Sequence, residues 1–173
     1  MKPIWPKINK AIGIVNLTIG IVLFYVIFDL TQKQIAFIQN LTGQNGFPKV
    51  DISFFELFLS KRILLLFGIL STTSGILILL RKKLGWVLGY SFLLIITLTL
   101  TQITVFGISD VTITVIGPEY WIQIYSGFGL LVSLGFLILL STKPIRILNR
   151  INRYSWLLSF GIVLILYLTP RIL

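Results

Sequence analysis

Along the chain, long apolar runs alternate with short polar interruptions. Five runs stand out: 11–30 (AIGIVNLTIGIVLFYVIFDL), 63–80 (ILLLFGILSTTSGILILL), 84–107 (LGWVLGYSFLLIITLTLTQITVFG), 119–140 (EYWIQIYSGFGLLVSLGFLILL) and 155–169 (SWLLSFGIVLILYLT). A helix rising about 1.5 Å per residue needs about 20 residues to cross some 30 Å of hydrocarbon, so the first four runs have spanning length. The fifth is short and spans only with Tyr154 and Pro170 at the interfaces. None of the runs keeps the polar face that a helix on a soluble core would show. An outer-membrane barrel needs strands that alternate for about ten residues, whereas only VTITV (111–115) and part of TLTLTQIT (97–104) alternate. In the second, Thr97, Thr101 and Thr104 also share a helical face, which makes helix the better reading. The pattern predicts an all-α integral membrane protein, a bundle of five transmembrane helices forming one domain over residues 1–173.

The stretches between runs refine this picture. After Asp29, TQKQIAFIQNL keeps Ile35, Ile38 and Leu41 at helical spacing, so the first helix is expected to outrun the membrane until TGQNG (42–46) breaks it. In the outer loop, 31–62, SFFE (53–56) has capping-box form, Ser53 and Glu56 bonding reciprocally. The second helix is then expected to start near Phe54 and project outward as well. A short interfacial helix over 54–60, broken before the membrane, is the competing picture. LRKKLG forces a tight antiparallel hairpin between the second and third runs. In GPEYW, Gly117 permits a turn, Pro118 suits the first helical position and Glu119 complements the positive helix end. No period of 20 to 50 residues repeats, and no low-complexity linker divides the chain.

Composition agrees with a membrane class: 56% of the 173 residues are apolar, mean hydropathy is +0.98, and only 12% are charged, against about 25% in soluble domains. Cysteine and histidine are both absent, which removes disulfides, redox motifs and the commonest metal ligands and proton carriers. The first run is too long for a signal-peptide core and no small-residue cleavage pattern follows it, so it is expected to stay as a signal anchor.

The net charge of +10 follows from topology. With the N-terminus in the cytoplasm and the C-terminus outside, the inner segments carry Lys2, Lys7, Lys10, Arg81, Lys82, Lys83, Lys143, Arg146, Arg150 and Arg153. All five acidic residues, Asp29, Asp51, Glu56, Asp110 and Glu119, fall outside with the remaining basic ones. This is the orientation the positive-inside rule selects, and Trp5, Trp86, Trp121 and Trp156, each near a helix end, fit an aromatic belt. With its basic residues clustered beside helix ends, the chain is not expected to bind nucleic acid. A cell membrane, in particular a bacterial inner membrane, is the expected location.

Candidate chemistry is sparse. No Asp, Glu, Lys or Arg lies mid-span, which counts against a proton-coupled pump. The polar groups at depth are neutral: Asn16 and Thr18, STTSG (71–75), Thr97, Thr99, Thr101, Gln102 and Thr104, Ser126 and Ser133. They either line a polar cavity or, the preferred reading, back-bond to their own helices and let helices approach closely. Gly85 with Gly89, Ser71 with Gly75, and Gly129 with Ser133 are small residues one turn apart and are expected to mark packing faces, with Val87 on a different face of its helix. The scattered carboxylates lack the spacing of a cation loop, so neither metal nor cofactor is expected. NLT (40–42) matches a glycosylation acceptor, meaningful only in a secretory-pathway host.

KPIRILNRINRY (143–154) is the most strongly charged stretch. Read as a helix, it puts Lys143, Arg146, Arg150 and Arg153 on one face and Ile147, Leu148, Ile151 and Tyr154 largely on the other. The segment 143–153 is expected to lie on an anionic inner leaflet, where each cation contributes roughly 1 kcal/mol. Together with Arg81, Lys82 and Lys83 it forms the candidate contact for anionic lipids or a partner chain. Anchor and topology determinant is the main expectation, with a specific headgroup or partner site as the alternative. No motif points to a family. The resulting expectation is a non-enzymatic polytopic protein that acts by assembly, as an accessory subunit or a self-associating bundle with other membrane chains. A passive pore or neutral-solute carrier is the alternative, and a lipid-modifying enzyme a distant third.

Overall fold

A computed structural model describes residues 4–44, 53–106 and 119–172, and these are helical apart from short turns, with no strand among them. The elements are α1 (Ile4–Gln44), α2 (Phe54–Ser60), α3 (Arg62–Leu79), α4 (Lys83–Phe106), α5 (Glu119–Ser141), α6 (Lys143–Leu148) and α7 (Arg153–Ile172). By length and composition α1, α3 and α4 are each able to cross a membrane. Over the residues whose side chains are described, α5 and α7 contribute shorter apolar stretches, Tyr125–Ser141 and Arg153–Tyr167. VTITV, Asp51, Asp110, Gly117, Pro118 and the loop around Gly46 lie outside the described residues.

The 41 residues of α1 make a rod about 60 Å long at 1.5 Å per residue, roughly twice the hydrocarbon thickness. It runs unbroken through TQKQIAFIQNL, as the spacing predicts. Next to it α3 is antiparallel, α4 is antiparallel to α3, and α5 to α4. The last helix, α7, packs on α4 in parallel, through Ser91 and Ser159. Because α4 touches α3, α5 and α7, it is the centre of the bundle, with Trp86, Val87, Tyr90, Phe92, Leu93 and Ile95 buried. Lipid tails are as apolar as these side chains, so close packing and interhelical hydrogen bonds hold such helices together.

Four local expectations are corrected. The second apolar helix is not continuous from Phe54: it breaks at Lys61 (φ −89°, ψ 30°), separating α2 from α3, and the short helix over 54–60 of the competing picture is the one found. The break lets α2 lie against α1, where Phe54 meets Phe28 at 5.7 Å between ring centroids and Lys61 Nζ donates to Gln34 Oε1 at 2.8 Å. Ser53 does precede α2, but no side-chain cap bond forms, and its carbonyl accepts the Leu57 amide instead. Trp86 is no belt residue: its indole is fully buried and donates to the Leu140 carbonyl at 2.9 Å, stacked on Tyr90 with Trp156 edge-on.

The fourth correction concerns residues 143–153, which do not form one helix. Lys143 and Arg146 lie on α6, Arg150 lies in a turn with φ 55°, and Arg153 opens α7. The four cations therefore share no helical stripe. Ile145 of α6 and Asn149 just after it are buried, while Ile147 is 61% and Tyr154 76% exposed. A reciprocal cap starts α7: Ser155 N donates to Asn152 Oδ1 at 3.1 Å, and Asn152 N to Ser155 Oγ at 3.3 Å.

Candidate functional site

The end of the bundle where α3 turns into α4 and α5 leads through α6 to α7 collects the chemistry, and is called the basic end below. Two turns there have the same construction. In the first, Lys82 N donates to Leu77 O (2.8 Å) and Arg81 N to Ile78 O (2.9 Å); in the second, Ile151 N donates to Arg146 O (2.9 Å) and Arg150 N to Ile147 O (3.1 Å). This pair of bonds defines a Schellman helix end, whose left-handed position is usually glycine. Here arginine holds it twice, Arg81 at φ 54° and Arg150 at φ 55°.

Asn9 of α1 joins the two turns. Its Nδ2 donates to the Ile78 carbonyl at 3.3 Å, and its Oδ1 accepts from Asn149 Nδ2 at 2.8 Å. Asn149 also donates to Ile145 O at 3.0 Å. Both asparagines are buried, so the link is shielded from water, where a lost partner is costly. Two buried atoms at this end have no partner among the described residues, Asn149 Oδ1 and Arg146 Nε.

Between the turns lies an open cavity of about 490 Å³ lined by Leu80, Arg81, Lys82, Lys83, Leu148 and Arg150. Of the seven basic residues singled out from sequence, the structure brings Arg81, Lys82, Lys83 and Arg150 to this cavity, and it leaves Lys143, Arg146 and Arg153 outside its lining. No carboxylate among the described residues lines it; the ion pair found among them, Lys33 with Asp29 at 2.7 Å, lies far along α1.

The small residues lie at contacts within this chain. A Cβ added at Gly85 would meet the α3 backbone at Leu77 and Ile78, and one at Gly89 would come 3.0 Å from Asn16 Nδ2. Gly75 faces the α1 backbone at Leu17, and Ser71 Oγ donates to Asn16 O at 2.7 Å. Gly129 meets Leu100, and Ser133 Oγ lies 3.0 Å from Thr97 Oγ1. Val87, expected on a different face of its helix, is also fully buried, because α4 is enclosed on several sides.

Sequence reasoning missed the matching glycines of α1. Gly13 packs at Leu79 and Gly75, and Gly20 at Thr72 and Gly68. The signal was available in the seven-residue spacing of Gly13–Gly20 and Gly68–Gly75, two helical turns in each helix. Asn9, Asn149, Ser91 and Ser159 were also missed. At mid-depth, Asn16 Nδ2 donates to Ser74 Oγ at 3.0 Å and Ser91 Oγ lies 3.1 Å from Ser159 O, so these polar groups bridge helices. Comparison with protein families, with curated proteins and with solved structures finds no match.

Proposed function

We propose that the chain is a non-enzymatic membrane protein of five spans, N-terminus in the cytoplasm and C-terminus outside, that acts by assembling with other membrane chains or with itself. The observation that carries this reading is the use of the polar groups at membrane depth. Asn16, Ser71, Ser74, Ser91, Thr97, Ser133 and Ser159 bond across helix contacts or back to their own helices. Groups committed in this way hold helices together and are not presented to a solute or a substrate. Five helices running alternately from end to end support the span count, and the gathering of Arg81, Lys82, Lys83 and Arg150 at one end supports its cytoplasmic placement. In a cell membrane this end meets the anionic inner leaflet.

The packing faces read from sequence are occupied within the chain, so a partner would have to use other surfaces. Those available include the outward face of α5, where Phe128, Leu131 and Ile138 are exposed. Native mass measurement of the chain extracted from its own membrane tests the reading. Co-purified chains or a defined multiple of 19.6 kDa are expected. A lone chain that conducts a neutral solute across liposomes would favour the pore.

A further inference from the structure

We propose that the basic end holds one anionic glycerophospholipid, its phosphate in the cavity between the two arginine turns and an acyl chain in a groove along α7. The proposal rests on the reading of this end as membrane-facing and cytoplasmic. A second cavity, about 520 Å³, shares Lys83 with the first and continues along α7 past Tyr154, Leu157, Gly161 and Ile165. Eleven residue steps from Tyr154 to Ile165 span roughly 16 Å of helix, so the groove extends well into the hydrocarbon. One cavity is cationic and the other apolar, and they meet at one lysine. That is the polarity sequence of a phospholipid read from headgroup to tail, and it fits neither a free ion nor an acidic peptide.

The headgroup side is built for an anion. Arg81 and Arg150 stand at left-handed positions that side chains rarely adopt, and Asn9 fixes the spacing of their turns. Strain of this kind persists where the surrounding structure enforces it. Four cations crowd one opening with no carboxylate among the described residues of its lining, which a phosphate would neutralise through the guanidinium forks. Its volume, about 490 Å³, lies in the range of roughly 300–1,000 Å³ typical of small-ligand sites. On the tail side, a Cβ added at Gly161 would meet nothing within 4 Å, so the groove is open there.

The test uses the full chain, delipidated in uncharged detergent and titrated with dioleoylphosphatidylglycerol, dioleoylphosphatidylcholine or inorganic phosphate, with bound lipid read by native mass spectrometry. One phosphatidylglycerol should be retained in preference to phosphatidylcholine. The double variant Arg81→Gly with Arg150→Gly relaxes both turns, so it should keep its melting temperature and lose that preference by about tenfold or more. Gly161→Leu fills the open groove and should release the lipid while leaving the fold intact. The proposal is overturned if the parent shows no preference, or if the double variant binds as the parent does. It also fails if inorganic phosphate competes while Gly161→Leu has no effect, or if an acidic protein co-purifies in the lipid's place. Because binding is read in detergent, a wrong membrane orientation would not change the result and shows only in labelling of intact cells.

Discussion

The substitution Gly85→Leu would drive a side chain into the α3 backbone at Leu77 and Ile78, whereas Gly135 has nothing within 4 Å of an added Cβ. Gly85→Leu should therefore cost about 1–3 kcal/mol through forced separation of α3 and α4. Gly135→Ala should be neutral or stabilise by up to about 1 kcal/mol, because alanine has less backbone freedom to lose. Detergent melting curves check both, and equal behaviour of the two variants would refute the contact. The local spacing already separates these two glycines, since Gly85 has Gly89 one turn on whereas Gly135 has Leu131 and Leu139 at those positions. Small residues one turn apart were legible as packing faces because a missing Cβ is what close approach requires. Which backbone arrives there depends on the register between helices, and no single helix encodes that. Trp86 illustrates the same limit: a tryptophan near a helix end reads as interfacial until a carbonyl on another helix, Leu140, takes its N–H.

At the scale of elements, the informative features are two breaks, one at Lys61 that the sequence offered only as the competing picture and one at Asn149 and Arg150 that the periodicity did not reveal. The chain stops being helical at Asn149 and Arg150 without a glycine or proline there, and the left-handed residue that ends the helix is an arginine. The usual sequence mark of such an end is absent, so 143–153 reads as one amphipathic helix. At Lys61 the sequence likewise carries no breaker, and the bend follows from contacts with α1 through Phe28 and Gln34. What locks the basic-end turns together is the Asn9–Asn149 pair. Asn9→Leu should leave Asn149 short of a partner and cost about 1–3 kcal/mol. In a cycle with Asn149→Leu the two losses should fall short of additivity by at least about 0.5 kcal/mol. Strict additivity of the melting shifts would mean that the two turns are held independently.

For the whole molecule, the all-helical character and the three long apolar helices were legible, since helix period and hydrocarbon thickness leave few other solutions for such runs. Threading is tested by thiol labelling, the chain having no cysteine of its own. Ala36 and Lys143 are both exposed, and they lie toward opposite ends of the bundle. Ala36→Cys should react with a membrane-impermeant reagent on intact cells, and Lys143→Cys only once the membrane is opened; the reverse pattern would invert the topology. Asn149 is a poor probe for this purpose, since it is fully buried. The neighbour relations also set a timetable for synthesis. Each of α3, α4 and α5 packs on a helix made before it, so each finds a partner already in place as it leaves the ribosome. One flank of α4, at Tyr90 and Ser91, has to wait beside lipid until α7 is made. Asn149 and Arg150 are made after α1, α3 and α4 and just before α7, so the cationic cavity is completed only late in synthesis.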